Sequence, residues 1–168
     1  VFGQGEILGF PVPLLILLCV FVLTFFILKY TVFGRWVYSV GSNLKAAWLA
    51  GIEVNKVKYL VYVISGLTAG LAAVLLSSRL SSVVSSLGQG FELDIIAAVV
   101  IGGTSLLGGS GGVLGSVVGA FIIETVSNML NLIGVSPFLE LIAKGSVLWI
   151  AVLIDMIKKG YIFKRPGD

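Results

Sequence analysis

Residues 95–123 read IIAAVVIGGTSLLGGSGGVLGSVVGAFII, 29 consecutive positions without a charge, broken by the tract LGGSGG at residues 107–112. One membrane-crossing helix needs roughly 20 apolar residues, so this run is too long for one span. Each interior glycine costs a helix about 1 kcal/mol relative to alanine, and the tract therefore reads as a turn. The run divides into two expected helices, 93–107 and 113–133, the first short and tilted or re-entrant. Gly111, Gly115 and Gly119 repeat every four residues, a spacing that lets two helix backbones approach closely.

The rest of the chain agrees with lipid as the solvent. Of the 168 residues, 58% are hydrophobic and 11% charged, with a mean hydropathy of +1.12. Soluble domains carry roughly 25% charged residues, and a small soluble fold leaves too much surface exposed to hide so many apolar groups. The 22 glycines fit membrane helices better than soluble ones. Upstream of the opening run, LSSVVSSLGQGFELD (80–94) is too polar to span, whereas 59–78 is uncharged and carries the close-packing pair Gly66 and Gly70. Further upstream, 13–33 forms another expected span with Pro13 near its start, where a helix tolerates proline. Downstream, residues 134–137 read as a loop, Pro137 can open a span over 138–157, and a charged tail covers 158–168. The expected architecture is an all-α integral membrane protein of about five spans. The chain opens Val1-Phe2-Gly3 without a basic leader, so no signal peptide is expected.

Nine of the eleven cations lie in two places: Lys29, Arg35, Lys45, Lys56 and Lys58 around the 34–58 connection, and Lys158, Lys159, Lys164 and Arg165 in the tail. Cytoplasmic segments carry the excess of Lys and Arg, which puts both on the cytoplasmic side and makes the C-terminus cytoplasmic. Five crossings satisfy that arrangement only if the run over 95–123 is split. Topology thus accounts for the net charge of +3 without a nucleic-acid partner.

Several chemistries are poorly supplied. There is no His, and the lone Cys19 can form neither an internal disulfide nor a cysteine metal site. GGTSLLGGSGG lacks the Gly-Lys-Ser/Thr of a phosphate loop, and no Lys falls between Arg79 and Lys144. Glu92 and Asp94 could form an acid–base pair, but no companion group is near, and they suit a helix N-terminus better. Asp155 and Lys159 read as an i,i+4 pair at the interface. No catalytic residue, metal site or cofactor is expected.

Polar groups at membrane depth are expensive and are functional candidates. Glu124, Asn128 and Asn131 follow at spacings of four and three, on one helical face, and Lys144 lies two turns into the last span. Two readings stand. The groups line a pathway, the amides meeting substrate hydroxyls and Glu124 pairing with Lys144, or they form structural interhelical hydrogen bonds worth about 1–2 kcal/mol or less. Within 34–58, Asn43 suits an N-cap and Gly51 a stop, giving a short helix over 43–50. It serves either to dock a soluble partner or to lie on anionic lipid with Trp48 as anchor.

GSNLKAAWLAGIEVNKVKYLVYVISGLTAGLAAVLLSSR (41–79), FELDIIAAVVIGGTSLLGGSGGVLGSVVGAFI (91–122) and NMLNLIGVSPF (128–138) together resemble ribose-type ABC-transporter permeases, in order and with matching spacing over residues 34–159. The resemblance implies that the 34–58 loop carries a coupling helix seated on an ATPase subunit, with contacts at Gly41, Asn43, Ala46, Ala47, Gly51 and Ile52. It implies the C-terminal half of a permease of about ten spans, in a bacterial inner (plasma) membrane. The implied partners are the ATPase subunit, which holds ATP and Mg, a second permease copy, and a periplasmic or extracellular sugar-binding protein. The implied cargo is a ribose-like monosaccharide. A branched-chain amino acid or another small polar solute is the alternative within this family. An ATP-independent transporter or channel half, or an inactive fragment, is the alternative outside it.

Overall fold

The computed structural model describes residues 5–7, 9–80 and 88–158, in two compact units, Val1–Leu87 and Gly88–Asp168. Apart from a two-residue ladder pairing β1 (Glu6–Ile7) with β2 (Phe10–Pro11), every element described is helical.

In the first unit, α1 spans Val12–Tyr30, with a proline in its first turn. It ends three residues before the expected boundary because Thr31 is extended, at φ −98° and ψ 161°. Its hydroxyl accepts from the Gly34 amide at 3.2 Å and donates to the Ile27 carbonyl at 2.6 Å. Thr31 thus closes α1 and caps α2, Val32–Ser42. The corner is so tight that a Cβ on Gly34 would overlap the carbonyl oxygens of Ile27 and Leu28.

The 34–58 connection, expected as a loop around one short helix, is mostly helix. α2 turns Phe33, Val37 and Val40 toward α3 (Leu44–Leu49) and the first turn of α4 (Val54–Leu80). These three elements share a small core of Val40, Ala47 and Val57, flanked by Ile52 and Val54. α4 begins five residues before the expected boundary, because Val54 and Val57 belong to that core and Glu53 holds Lys56 at 2.8 Å. Its 27 residues rise about 40 Å, more than the hydrocarbon thickness of about 30 Å. Beyond Val57 it has no buried residue.

In the second unit, α5 (Phe91–Ile101), α6 (Val113–Leu132) and α7 (Pro137–Lys158) pack together. The order of contacts makes α5 antiparallel to α6 and parallel to α7. α5 ends at residue 101 rather than 107, since Gly103 adopts φ +86°. The Gly103 amide then bonds the Val100 carbonyl, and the Thr104 amide the Val99 carbonyl, a glycine-dependent closure of the helix end. Eleven residues rise about 16 Å, so α5 does not cross a bilayer as a helix. α1, α4 and α6 are long and apolar enough to do so among the described residues, and α7 has 22 residues. The chain is an all-α polytopic membrane protein in which the third expected span is a half-length helix completed by a turn.

The glycines sort into two groups. Gly115 meets Gly102, and Gly119 meets Ala98, so closely that a Cβ on either would overlap the facing carbonyl oxygen. Gly111 lies in the turn at φ +147°, not on the helix, and a Cβ there would strike the Thr104 side chain. A Cβ added at Gly66 or Gly70 would meet nothing within 4 Å outside the helix's own backbone. The contact expected of that pair is not made inside the described chain.

Candidate functional site

The first candidate surface is the foot formed by α3. Asn43 accepts from the Ala46 amide at 3.0 Å through Oδ1, closing the helix start. At the other end Gly51 sits at φ +82°, with its amide on the Trp48 carbonyl and the Ile52 amide on the Ala47 carbonyl. A six-residue helix has no independent stability in water, so these caps and the Val40–Ala47–Val57 core hold it. Of the six contacts implied by the resemblance, Gly41, Asn43, Ala46 and Gly51 are exposed. Ala47 is not available to a partner: it is 3% exposed and fills the core. Ile52 is half-buried against that core. The outward face instead offers Leu44, Lys45, Trp48 and Leu49, with Trp48 69% and Leu49 77% exposed.

The second candidate is the polar set on the α5–α6–α7 unit. Lys144 does not pair with Glu124. Its Nζ lies 2.8 and 2.9 Å from the two Asp94 oxygens and 2.9 Å from Glu140 Oε1. Asp94 is thus a cross-helix partner and not merely a helix-start charge. The Glu140–Lys144 pair carries a legible i,i+4 signal; the Asp94 contact spans 50 residues and leaves no local trace. Beneath them Ser127 is buried beside Glu140, its Oγ without a hydrogen bond of acceptable geometry among the described residues.

Glu124, Asn128 and Asn131 share an exposed face of α6, and no ion pair or side-chain hydrogen bond to them is found among the described residues. Glu124 borders an open cleft of about 210 Å³ with Phe91, Asp94, Ile95, Ala98, Ala120 and Ile123. The cleft lies beside the glycine crossing, where α5 and α6 touch at Gly102–Gly115 and Ala98–Gly119.

At the far end of this unit, Ser105 is buried and donates to Asp155 Oδ2 at 2.7 Å while accepting from the Leu107 amide at 3.2 Å. Asp155 is therefore occupied within the unit; the expected partner Lys159, with Lys164 and Arg165, lies outside the described residues. Among the described residues no cluster of His, Cys, Asp and Glu could hold a metal ion.

The family model described as branched-chain amino acid transport system / permease component matches residues 1–154. The ribose import permease protein of Bacillus subtilis is 48% identical over 157 residues, covering 94% of this chain and 49% of that protein. Its Escherichia coli (strain K12) namesake is 46% identical over 158 residues, again 94% and 49%. The xylose transport system permease protein of Haemophilus influenzae is 44% identical over 151 residues, 90% of this chain and 40% of that protein. The chain therefore spans about half the length of these curated relatives. No solved structure matches.

Proposed function

The chain belongs to the branched-chain amino acid transport system / permease component family, and on that footing we propose that it forms part of the membrane subunit of an ATP-driven importer of a ribose-like monosaccharide. Relatives named for ribose and xylose import favour a sugar over an amino acid as cargo. The observation that carries the ATP-driven reading is the α3 foot: an exposed apolar face on a helix too short to stand alone, locked by both caps and a private core to α2 and α4.

In this reading the basic connection 34–58 lies in the cytoplasm of a bacterial cell, the C-terminus on the same side, and the foot seats on an ATPase subunit. Leu44, Trp48 and Leu49 supply the buried apolar contact, with Gly41, Asn43, Ala46 and Gly51 at its margin. Nucleotide hydrolysis belongs to that partner, so this chain carries no catalytic residue or cofactor. A second permease copy and an external sugar-binding protein complete the assembly. Displacement of α3 passes through Val40, Ala47 and Val57 to α4 and, through α2, to α1. The partner need only bind one of two packings more tightly to shift their populations. Asn128, Asn131 and Glu124 form a polar stripe fit to line the route of a hydroxyl-rich solute.

Leu49→Glu in the complete permease tests this. The expected outcome is normal abundance in the membrane with loss of ATPase co-purification and of ATP-driven ribose uptake. Undiminished co-purification would remove the foot from the ATPase interface, and the ATP-driven reading would lose its support.

A further inference from the structure

Residues 7–52 contain no acid, while Lys29, Arg35 and Lys45 fall among them. The next acid, Glu53, is already held by Lys56 at 2.8 Å. The foot uses only part of this basic stretch; its first cations stand at the α1–α2 corner. There α1 ends in a cluster built wholly from its own residues. Lys29 Nζ lies 5.1 Å from the centre of the Phe25 ring and 5.6 Å from that of Tyr30, and the Tyr30 and Phe26 rings are 5.3 Å apart. An ammonium folded along aromatic rings at the end of an apolar helix is a snorkelling arrangement, and Tyr marks the membrane–water interface. The depth of the corner thus follows from α1 alone. α2 continues from it with sides of different character. Phe33, Val37 and Val40 are committed to the foot core. Val32 and Trp36, four residues apart, form an exposed apolar flank. Arg35 and Ser39, also four apart, are exposed on the side turned away from the core. An apolar flank with Trp beside a polar face with Arg is the make-up of a helix lying in the interface.

We infer that the α1–α2 corner is a binding site for an anionic phospholipid. Lys29 and Arg35 take the headgroup phosphate, and Tyr30 and Trp36 stand beside the glycerol and the upper acyl chain. Charge and depth together select this occupant. Two cations in an acid-free stretch call for an anion, and their aromatic neighbours sit where hydrocarbon begins. A phospholipid brings negative charge and hydrocarbon at once, whereas a soluble acidic partner brings only the first. The Arg35 guanidinium matches phosphate with paired donors, and Lys29 adds a point charge. The site also divides the connection between two tasks. α2 stays on the membrane through Trp36, and α3, across the shared core, is left to face a soluble partner. The lipid site is independent of what the transporter carries.

The test titrates the complete permease, purified in neutral detergent, with phosphatidylglycerol and separately with phosphatidylcholine, reading bound lipid by native mass spectrometry. At about 0.15 M salt, charges more than about 8 Å away are largely screened, so the assay reports the corner itself. The expected result is tighter binding of phosphatidylglycerol. Lys29→Gln and Arg35→Gln should each weaken it about fivefold, the scale of one cation near an anionic headgroup, and leave phosphatidylcholine unchanged. Arg35→Lys, which keeps the charge, should retain most of the preference. Lys58→Gln removes the same charge from α4 and should leave binding close to that of the unsubstituted permease. Equal binding of the two lipids overturns the site. So does an equal loss in Lys58→Gln, which would make the attraction diffuse. Displacement of phosphatidylglycerol by excess inorganic phosphate would make the corner a site for free anions and overturn the lipid assignment as well.

Discussion

Ala47→Leu addresses the link between the α3 foot and the membrane helices. The alanine is 3% exposed and wedged between Val40 and Val57, with Phe33, Val37, Ile52 and Val54 around them. Leucine adds three carbons to a site without spare room, and such overpacking costs about 1–3 kcal/mol. A helix of six residues cannot absorb that cost by itself, so the foot opens as a unit, its open population rising about 5- to 150-fold. Lys45 lies on the exposed face of α3, and trypsin cuts there only when the helix unwinds. When reclosing is fast, cleavage tracks the open population. The assay is limited trypsin digestion of the detergent-solubilised permease, the Lys45 cut read by mass spectrometry. Ala46→Leu is the control: the same chemical change one position along, on the exposed side, with an effect of a few tenths of a kcal/mol. If both variants are cut at Lys45 at the same rate, the private core does not hold the foot, and the proposed transmission from α3 to α4 fails.

Other outcomes follow from the same contacts. Asn43→Ala removes the cap on the Ala46 amide and should cost about 1 kcal/mol, seen as about fivefold faster cutting at Lys45. Lys144→Met strands the Asp94 and Glu140 carboxylates; breaking a buried pair costs about 3–5 kcal/mol, discounted here to about 2–4 because the Asp94 side chain is 29% exposed. The unfolding temperature should fall, and adding Asp94→Asn with Glu140→Gln should recover most of the loss. Gly115→Ala drives a methyl into the Gly102 carbonyl and should destabilise the permease on heating, whereas Gly66→Ala, which meets nothing within 4 Å of the described chain, should be neutral or gain up to about 1 kcal/mol. Equal behaviour of the two would contradict the assigned packing.

What was legible in the sequence is what depends on local rules. α6 and α7 lie within about one residue of the expected spans because Gly112, Gly134 and Pro137 punctuate uncharged runs. The short helix at 44–49 announces itself through the Asn43 cap and the Gly51 stop. α2 carries Phe33, Val37 and Val40 at helical spacing, but Gly34, Ser39 and Gly41 give the stretch a loop-like composition that hides it. α5 stops short of the expected boundary although Thr104, Ser105 and Leu106 are uncharged and prolong the run; Gly103 overrides them by taking a left-handed conformation. At the site, the polar face of α6, Lys144 and its i,i+4 neighbour Glu140 are legible, but the cross-helix partner of Lys144 is not. Glu124 lies nearer to Lys144 in sequence than Asp94 does; Asp94 wins because α5 lies parallel to α7 and delivers it at the level of Lys144. Ala47 shows the opposite limit, since a match to a motif carries a residue over without saying which way it faces.

The two polar clasps on α5 and its turn share one register. Asp94 meets Lys144 and Ser105 meets Asp155, each across 50 residues, and the clasps lie 11 residues apart on both strands. Eleven helical residues rise about 16 Å, and α7 is helical throughout that interval. On the other strand the helix stops at Ile101, so the first residues of the turn must carry the backbone onward to place Ser105. Gly103 permits this, and the bond from the Ser105 amide to the Ser110 carbonyl holds the turn in that position. α5 is therefore fixed to α7 at both ends by charged acceptors. Its other interface, toward α6, is a crossing of glycine and alanine backbones beside the apolar Ala97–Ala98–Ile123 cluster, with, among the described residues, one long polar contact at 3.5 Å between the Thr104 and Ser116 hydroxyls. Sliding along that crossing breaks few directional bonds, while sliding along α7 separates buried charges. If this unit has two packings, the physics assigns the change to the α5–α6 crossing, and that crossing also sets the width of the cleft between Phe91 and Glu124.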